Sequence, residues 1–110
     1  MNDKLLSMLG LCRRAGKLEL GYDAVAAAIT KNKAKLLLLA SDLSEKTGES
    51  ITYLSGQYGP GPIRLPHTMD QIGRAVGKRA GILAVIDAGF AGSIRKLAAV
   101  KDEEECLYDD

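Results

Sequence analysis

Apolar residues near the start of the chain recur at helical spacing, with Leu5, Met8, Leu9 and Cys12 on one face of a helix expected over residues 3–15. Arg13 and Arg14 follow, and Gly16 ends the helix. Lys17, Leu18, Glu19 and Leu20 then alternate with period two, the pattern of a brief strand that Gly21 stops. From Gly21 the helical period returns. Tyr22, Val25, Ala26 and Ile29 share a face, and the alanines at 24, 27 and 28 add helix propensity with almost no bulk, so a second helix is expected to about residue 32.

"AKLLLLASD" is a continuous apolar run that suits a strand covered on both faces, and it ends where Ser41 and Asp42 bring polarity back. Residues 44–58 read as a third helix through Ile51 and Leu54, although Gly48 and Gly56 each cost about 1 kcal/mol relative to alanine. Pro62 and Pro66 bracket a short extended piece best placed at a sheet edge. Thr68 and Gln71 have the spacing of a capping box, and Met69, Ile72 and Val76 carry the apolar face of a fourth helix up to Gly77. "GILAVID" is another buried-strand run, followed by Phe90, Ile94 and Leu97 on a final helical face. Nine alternating elements predict an α/β domain with helices on both sides of a small sheet; spacing alone fixes neither strand order nor direction.

At 110 residues with 46% hydrophobic content, the chain suits one domain with a real core. The near-balance of 15 basic and 14 acidic residues hides a split. Residues 101–110, "KDEEECLYDD", hold six acids and one lysine, so residues 1–100 carry 14 basic against 8 acidic groups, a net of +6. The expected organisation is a single domain over residues 1–100 and a flexible acidic tail over 101–110, read as a solubilising end or as a competitor for a basic face. The start of the chain has charges on both sides of its apolar stretch and reads as neither signal peptide nor membrane span.

Candidate chemistry is sparse. Cys12 and Cys106 lack metal-ligand and redox spacing, so reduced thiols in the cytoplasm are expected. His67 is the lone histidine and reads as a turn residue; no zinc site or Cys-His nucleophile has its partners. Asp42 and Asp87 follow the two most apolar strands, where helix capping explains them without catalysis. "GQYGPGP" follows a helix and lacks a Lys-Ser/Thr ending, which excludes the phosphate-loop pattern. No enzyme, metal or cofactor is expected.

With "RRAGKLELGYDAV", "KAKLLLLASD", "IGRAVGK" and "AVIDAGFA" in this order across residues 3–98, the chain resembles the bacterial YlxQ-like branch of the ribosomal seven-Ae/thirty-e family, whose members bind kink-turn RNA. The resemblance implies a three-layer α-β-α sandwich with a small four-stranded mixed sheet, and no catalysis. It also implies structured, kink-turn-like RNA as the partner, in a ribosomal setting. The family's binding edge combines the turn into helix two, the start of that helix and the loop before the fourth strand, here Lys17 to Ala27 and Lys78 to Ile82. The implied contact residues are Arg14, Lys17, Gly21, Tyr22, Asp23, Lys78, Arg79, Ala80 and Gly81.

The physical grounds are a glycine that lets RNA approach the backbone, N–H groups at a helix start that suit phosphate oxygens, and cations beside them. One departure qualifies the expectation. The family's Asn-Glu-x-x-Lys pattern early in helix two is replaced by Asp23, Ala24 and Ala27, which leaves only Asp23 able to read a base edge. The alternative reading is therefore a protein-interaction module on the same fold, with Ala24, Ala27 and Ala28 packing against a ribosomal or transcription partner.

Overall fold

In the computed structural model, which describes the backbone of residues 3–108 and their side chains except at 57, 58 and 100–108, helices and strands alternate as the sequence predicts. The elements are α1 (Lys4–Arg14), β1 (Leu18–Leu20), α2 (Tyr22–Thr30), β2 (Leu36–Leu39), α3 (Glu45–Tyr58), β3 (Pro62–Arg64), α4 (Met69–Val76), β4 (Ile82–Val85) and α5 (Ala88–Tyr108). Short polar side chains open four of the helices. Asp3 accepts from the Leu6 N–H at 3.1 Å, Ser44 from Thr47 at 3.2 Å and Asp87 from Phe90 at 2.9 Å. Thr68 and Gln71 form the reciprocal capping box that their spacing predicts, with bonds of 3.2 and 2.9 Å.

The strands form one mixed sheet in the order β1-β4-β2-β3, antiparallel except for the parallel pair β2 and β3. All residues of β2 and β4 are buried because helices cover both faces. Leu36, Leu38, Leu83 and Val85 point to one side, where Leu5, Leu9, Ile72 and Ile94 from α1, α4 and α5 meet them. Leu37, Leu39, Ile82 and Ala84 point to the other, against Val25, Ile29 and Ile51 from α2 and α3. Each large aliphatic side chain so buried contributes about 1.5–3 kcal/mol, which is why the two apolar runs take the centre of the sheet. The outer layer needs one close approach: a Cβ on Gly10 would lie 2.9 Å from the Ala75 carbonyl oxygen, so only glycine lets α1 pack this near α4.

Two expectations change. Asp42 does cap a helix, but not the one that follows it. Its carboxylate accepts from the Met69 N–H of α4 at 2.9 Å, while Ser44 caps α3. Residues 101–108, expected as a flexible tail, continue α5 as far as Tyr108. Lys, Glu and Leu are good helix formers, and a helix needs no apolar stripe to extend from an anchored first half. Asp109 and Asp110 lie outside the described residues.

Candidate nucleic-acid interface

The turn that ends β1 is tied directly to the start of β4. The Gly21 N–H donates to the Ile82 carbonyl at 2.9 Å, so the first turn of α2 lies beside the loop that delivers β4. Gly21 has φ 89° and ψ 161°, a conformation open in practice only to glycine. Backbone geometry therefore selects glycine here. A Cβ would meet nothing within 4 Å, so any side chain at this position would project into the space where a ligand would approach.

No side chain caps α2. Its first helical bond runs from the Val25 N–H to the Gly21 carbonyl at 3.0 Å, and the amides of Tyr22, Asp23 and Ala24 precede that bond at the positive end of the helix dipole. Amides so placed suit anionic oxygens. Asp23 is exposed on this turn, where its carboxylate is favourable to the helix and repels phosphate.

The loop between α4 and β4 forms the second wall. Ala80 and Gly81 are buried and offer no side chain to a ligand. Gly81 is fixed by packing: its carbonyl accepts from the Ala40 N–H at 2.9 Å, and a Cβ would lie 2.7 Å from Leu43 Cδ1 and 2.9 Å from Met69 Sδ. Lys78 is exposed. Arg79 is exposed too, but its Nε donates to Asp70 at 2.7 Å, a bond and a charge that raise its pKa.

Lys17 does not join this edge. The Ile86 N–H donates to the Lys17 carbonyl at 3.0 Å, whereas Gly21 pairs with Ile82, so the two residues flank opposite ends of β1. Four residues at a strand's rise of 3.3–3.4 Å separate them by about 13 Å. Arg14 ends α1 in the turn leading to Lys17, and the Lys17 N–H donates to the Cys12 carbonyl at 3.0 Å, which keeps Arg14 at that same far end. The expected set thus divides: Gly21, Tyr22 and Asp23 open α2 at the end of the sheet where the loop of Lys78, Arg79, Ala80 and Gly81 delivers β4, while Arg14 and Lys17 lie at the other end of β1.

Comparison with known proteins places the chain in a family. The model of the "Ribosomal protein L7Ae/L30e/S12e/Gadd45 family" matches residues 3–94. The chain belongs to that family. It is 36% identical over 91 residues to the RNA-binding protein YlxQ of Bacillus subtilis (strain 168), covering 82% of this chain and 90% of that one. It is 32% identical over 94 residues to the YlxQ protein of Enterococcus faecium, covering 86% and 90%. A solved structure from Bacillus halodurans, of a protein with unknown function, superposes with a TM-score of 0.82 at 31% identity, covering 89% of this chain and 99% of that one. The chain is a YlxQ-like, non-catalytic member of the family with the family's α/β fold.

Several contacts of this family member carry no sequence signal, because their partners are far apart in the chain. The Tyr22 hydroxyl lies 2.6 Å from the Ser50 hydroxyl and docks the first turn of α2 on α3. His67, expected as a plain turn residue, is buried with Nε2 against Asp3. Ala28 is buried in the core, so the small-residue surface of the protein-interaction reading reduces to Ala24 and Ala27. Cys12 is fully buried, and burial, with the nearby Asp87 charge second, pushes its thiol up to about 11. Among the described residues, no group of His, Cys, Asp and Glu side chains could hold a metal ion.

Proposed function

We propose that this protein binds structured RNA of the kink-turn kind through the edge formed by Gly21, Tyr22 and Asp23 together with the loop from Lys78 to Gly81. The observation that carries the reading is the Gly21–Ile82 hydrogen bond, which sets an uncapped helix start beside that loop. The relatives named as RNA-binding proteins supply the ligand class. The family description begins with ribosomal proteins, which supports ribosomal RNA or a ribosome-associated transcript as the target and a cytoplasmic place of action.

Base reading at this edge rests on one side chain. Asp23 accepts from the N1–H and N2–H₂ groups of a guanine, while Ala24 and Ala27 read nothing. Loss of one bidentate contact worth about 1–3 kcal/mol weakens binding roughly 5- to 150-fold, a reduction that leaves measurable specificity.

The test is a fluorescence titration of a kink-turn RNA against an otherwise identical straight duplex at two salt concentrations. Tighter, salt-dependent binding to the kinked RNA is expected. With three to five phosphates neutralised, the slope of log K against log salt should be about −2 to −4. Equal affinity for the two RNAs would refute kink-turn recognition, and a flat salt response would refute the phosphate contacts.

A further inference from the structure

The end of the sheet opposite Gly21 carries more unpaired positive charge than the proposed edge. The Lys17 carbonyl accepts from Ile86, and the Lys35 N–H donates to the Val85 carbonyl at 2.7 Å, so Lys17 and Lys35 flank the end of β4 on its two sides. Two strand spacings put their backbones about 10 Å apart. Lys31 closes α2, and Asn32 turns the chain in the left-handed region at φ 61°. Lys33 then donates its N–H to the Ala28 carbonyl at 2.8 Å, on the way to Lys35. Arg95 of α5 joins them, its guanidinium donating to the Lys35 carbonyl at 3.3 Å.

All five side chains are exposed, and among the described residues no carboxylate pairs with any of them. Asp87, an acid at this end, accepts from the Phe90 N–H. Like charges gathered at one end of the sheet repel one another. At the α2 edge, by contrast, Arg79 is tied to Asp70 and Asp23 adds negative charge.

We propose that Lys17, Lys31, Lys33, Lys35 and Arg95 form a second RNA surface that grips the phosphate backbone of a duplex segment. This rests on the RNA-binding reading above and divides the labour: the glycine edge selects the RNA, and the lysine-rich end supplies most of the salt-dependent affinity. Such a division is what nucleic-acid recognition needs, since phosphate contacts position and base contacts specify. A protein with one surface at each end of its sheet holds two segments of one RNA.

The experiment titrates wild type, the Lys31→Glu/Lys33→Glu/Lys35→Glu variant and an Asp23→Ala variant against three RNAs. These are a minimal kink-turn hairpin, the same hairpin with its duplex arm extended by a helical turn, and a straight duplex. The triple variant should bind the extended hairpin and the straight duplex at least about 10-fold more weakly, with a salt slope shallower by about 2–3, while keeping its affinity for the minimal hairpin. Asp23→Ala should weaken the kinked RNAs alone. The neutral Lys31→Gln/Lys33→Gln/Lys35→Gln variant should reproduce the shallower slope, which separates a surface effect from misfolding by charge reversal.

Unchanged binding of all three RNAs by both triple variants would overturn the second surface without touching the first. Loss of straight-duplex binding in the triple variants, with no preference for the kink in wild type, would keep the second surface and overturn kink-turn reading. Unchanged RNA binding with loss of binding to phosphatidylserine vesicles would assign the lysines to a membrane and overturn the proposal.

Discussion

The His67 imidazole Nε2 lies 2.5 Å from the Asp3 carboxylate, joining the residue that caps α1 to the turn before α4. The same carboxylate holds the Leu6 N–H at 3.1 Å, so one side chain both starts α1 and pins it beside α4. Burial pushes the Asp3 pKa up, but the His67 and Leu6 hydrogen bonds outweigh it and hold the carboxyl below its ordinary value of 3.8. A carboxylate whose folded pKa is lowered contributes stability above its unfolded pKa and loses it as pH falls through the folded value. Asp3→Asn should therefore lower the melting temperature at pH 7, and the gap to wild type should close as pH falls below the carboxylate range. Melts at a series of pH values from 7 down through the carboxylate range check this; a gap that does not narrow as pH falls below 3.8 would contradict it.

Glycine 81 should be required by packing and glycine 21 by backbone angle, and the two separate by experiment. Gly81→Ala brings a Cβ against the tips of the half-buried Leu43 and Met69 side chains, which can turn aside, so it should fall at the low end of about 1–3 kcal/mol, relieved in part by Leu43→Ala. Gly21→Ala meets no atom within 4 Å, yet its φ of 89° should cost a similar 1–3 kcal/mol, which no neighbouring truncation relieves. Urea unfolding of the two single variants and the Gly81→Ala/Leu43→Ala double variant measures the difference.

Cys12 should be inert in the folded protein. At pH 8 a thiol with a pKa of about 11 is ionised at the level of roughly one part in a thousand, and the sulfur is fully buried as well. In a Cys106→Ser variant, a thiol reagent should label nothing until denaturant is added. Prompt labelling of the native variant would show that α1 opens away from β1.

Much of this fold was legible because each signal was local. The Leu36–Leu39 and Ile82–Val85 runs predicted the buried central strands, the Thr68–Gln71 spacing predicted a capping box, and Pro62 predicted an edge strand; all are present. What the sequence hid joins distant residues. Asp42 reaches Met69, 27 positions away, and His67 reaches Asp3, 64 away, with no pattern linking either pair. The placing of Lys17 beside Gly21 is a different miss. A three-residue strand carries its two flanking residues to opposite ends of the sheet, so strand rise alone was enough to separate them. The family resemblance pointed to the turn at Gly21 but carried no information on which cations the fold brings beside it.

The ion pair between Arg79 and Asp70 makes a prediction of unusual sign for the proposed edge. Both side chains are exposed, with Nε and Oδ1 at 2.7 Å, so the guanidinium carried by the loop before β4 is bound to a carboxylate of its own chain. An RNA phosphate must compete with Asp70 for it. Removing Asp70's charge frees the cation and also removes a repulsion, so Asp70→Asn should tighten RNA binding and steepen the salt slope by about one. Arg79→Ala should do the reverse, and the Asp70→Asn/Arg79→Ala double variant should bind only slightly more tightly than Arg79→Ala alone, because most of the effect of Asp70 runs through Arg79 and only the lifted repulsion remains without it. The pair lies on the surface, where ion pairs contribute little to folding, and Asp70 adds only the small benefit of an acid in the first turn of α4, so thermal melts of all three should lie within a few degrees of wild type. Titrations at two salt concentrations decide it: weaker binding by Asp70→Asn would mean that the pair holds Arg79 in its binding pose instead of withholding it.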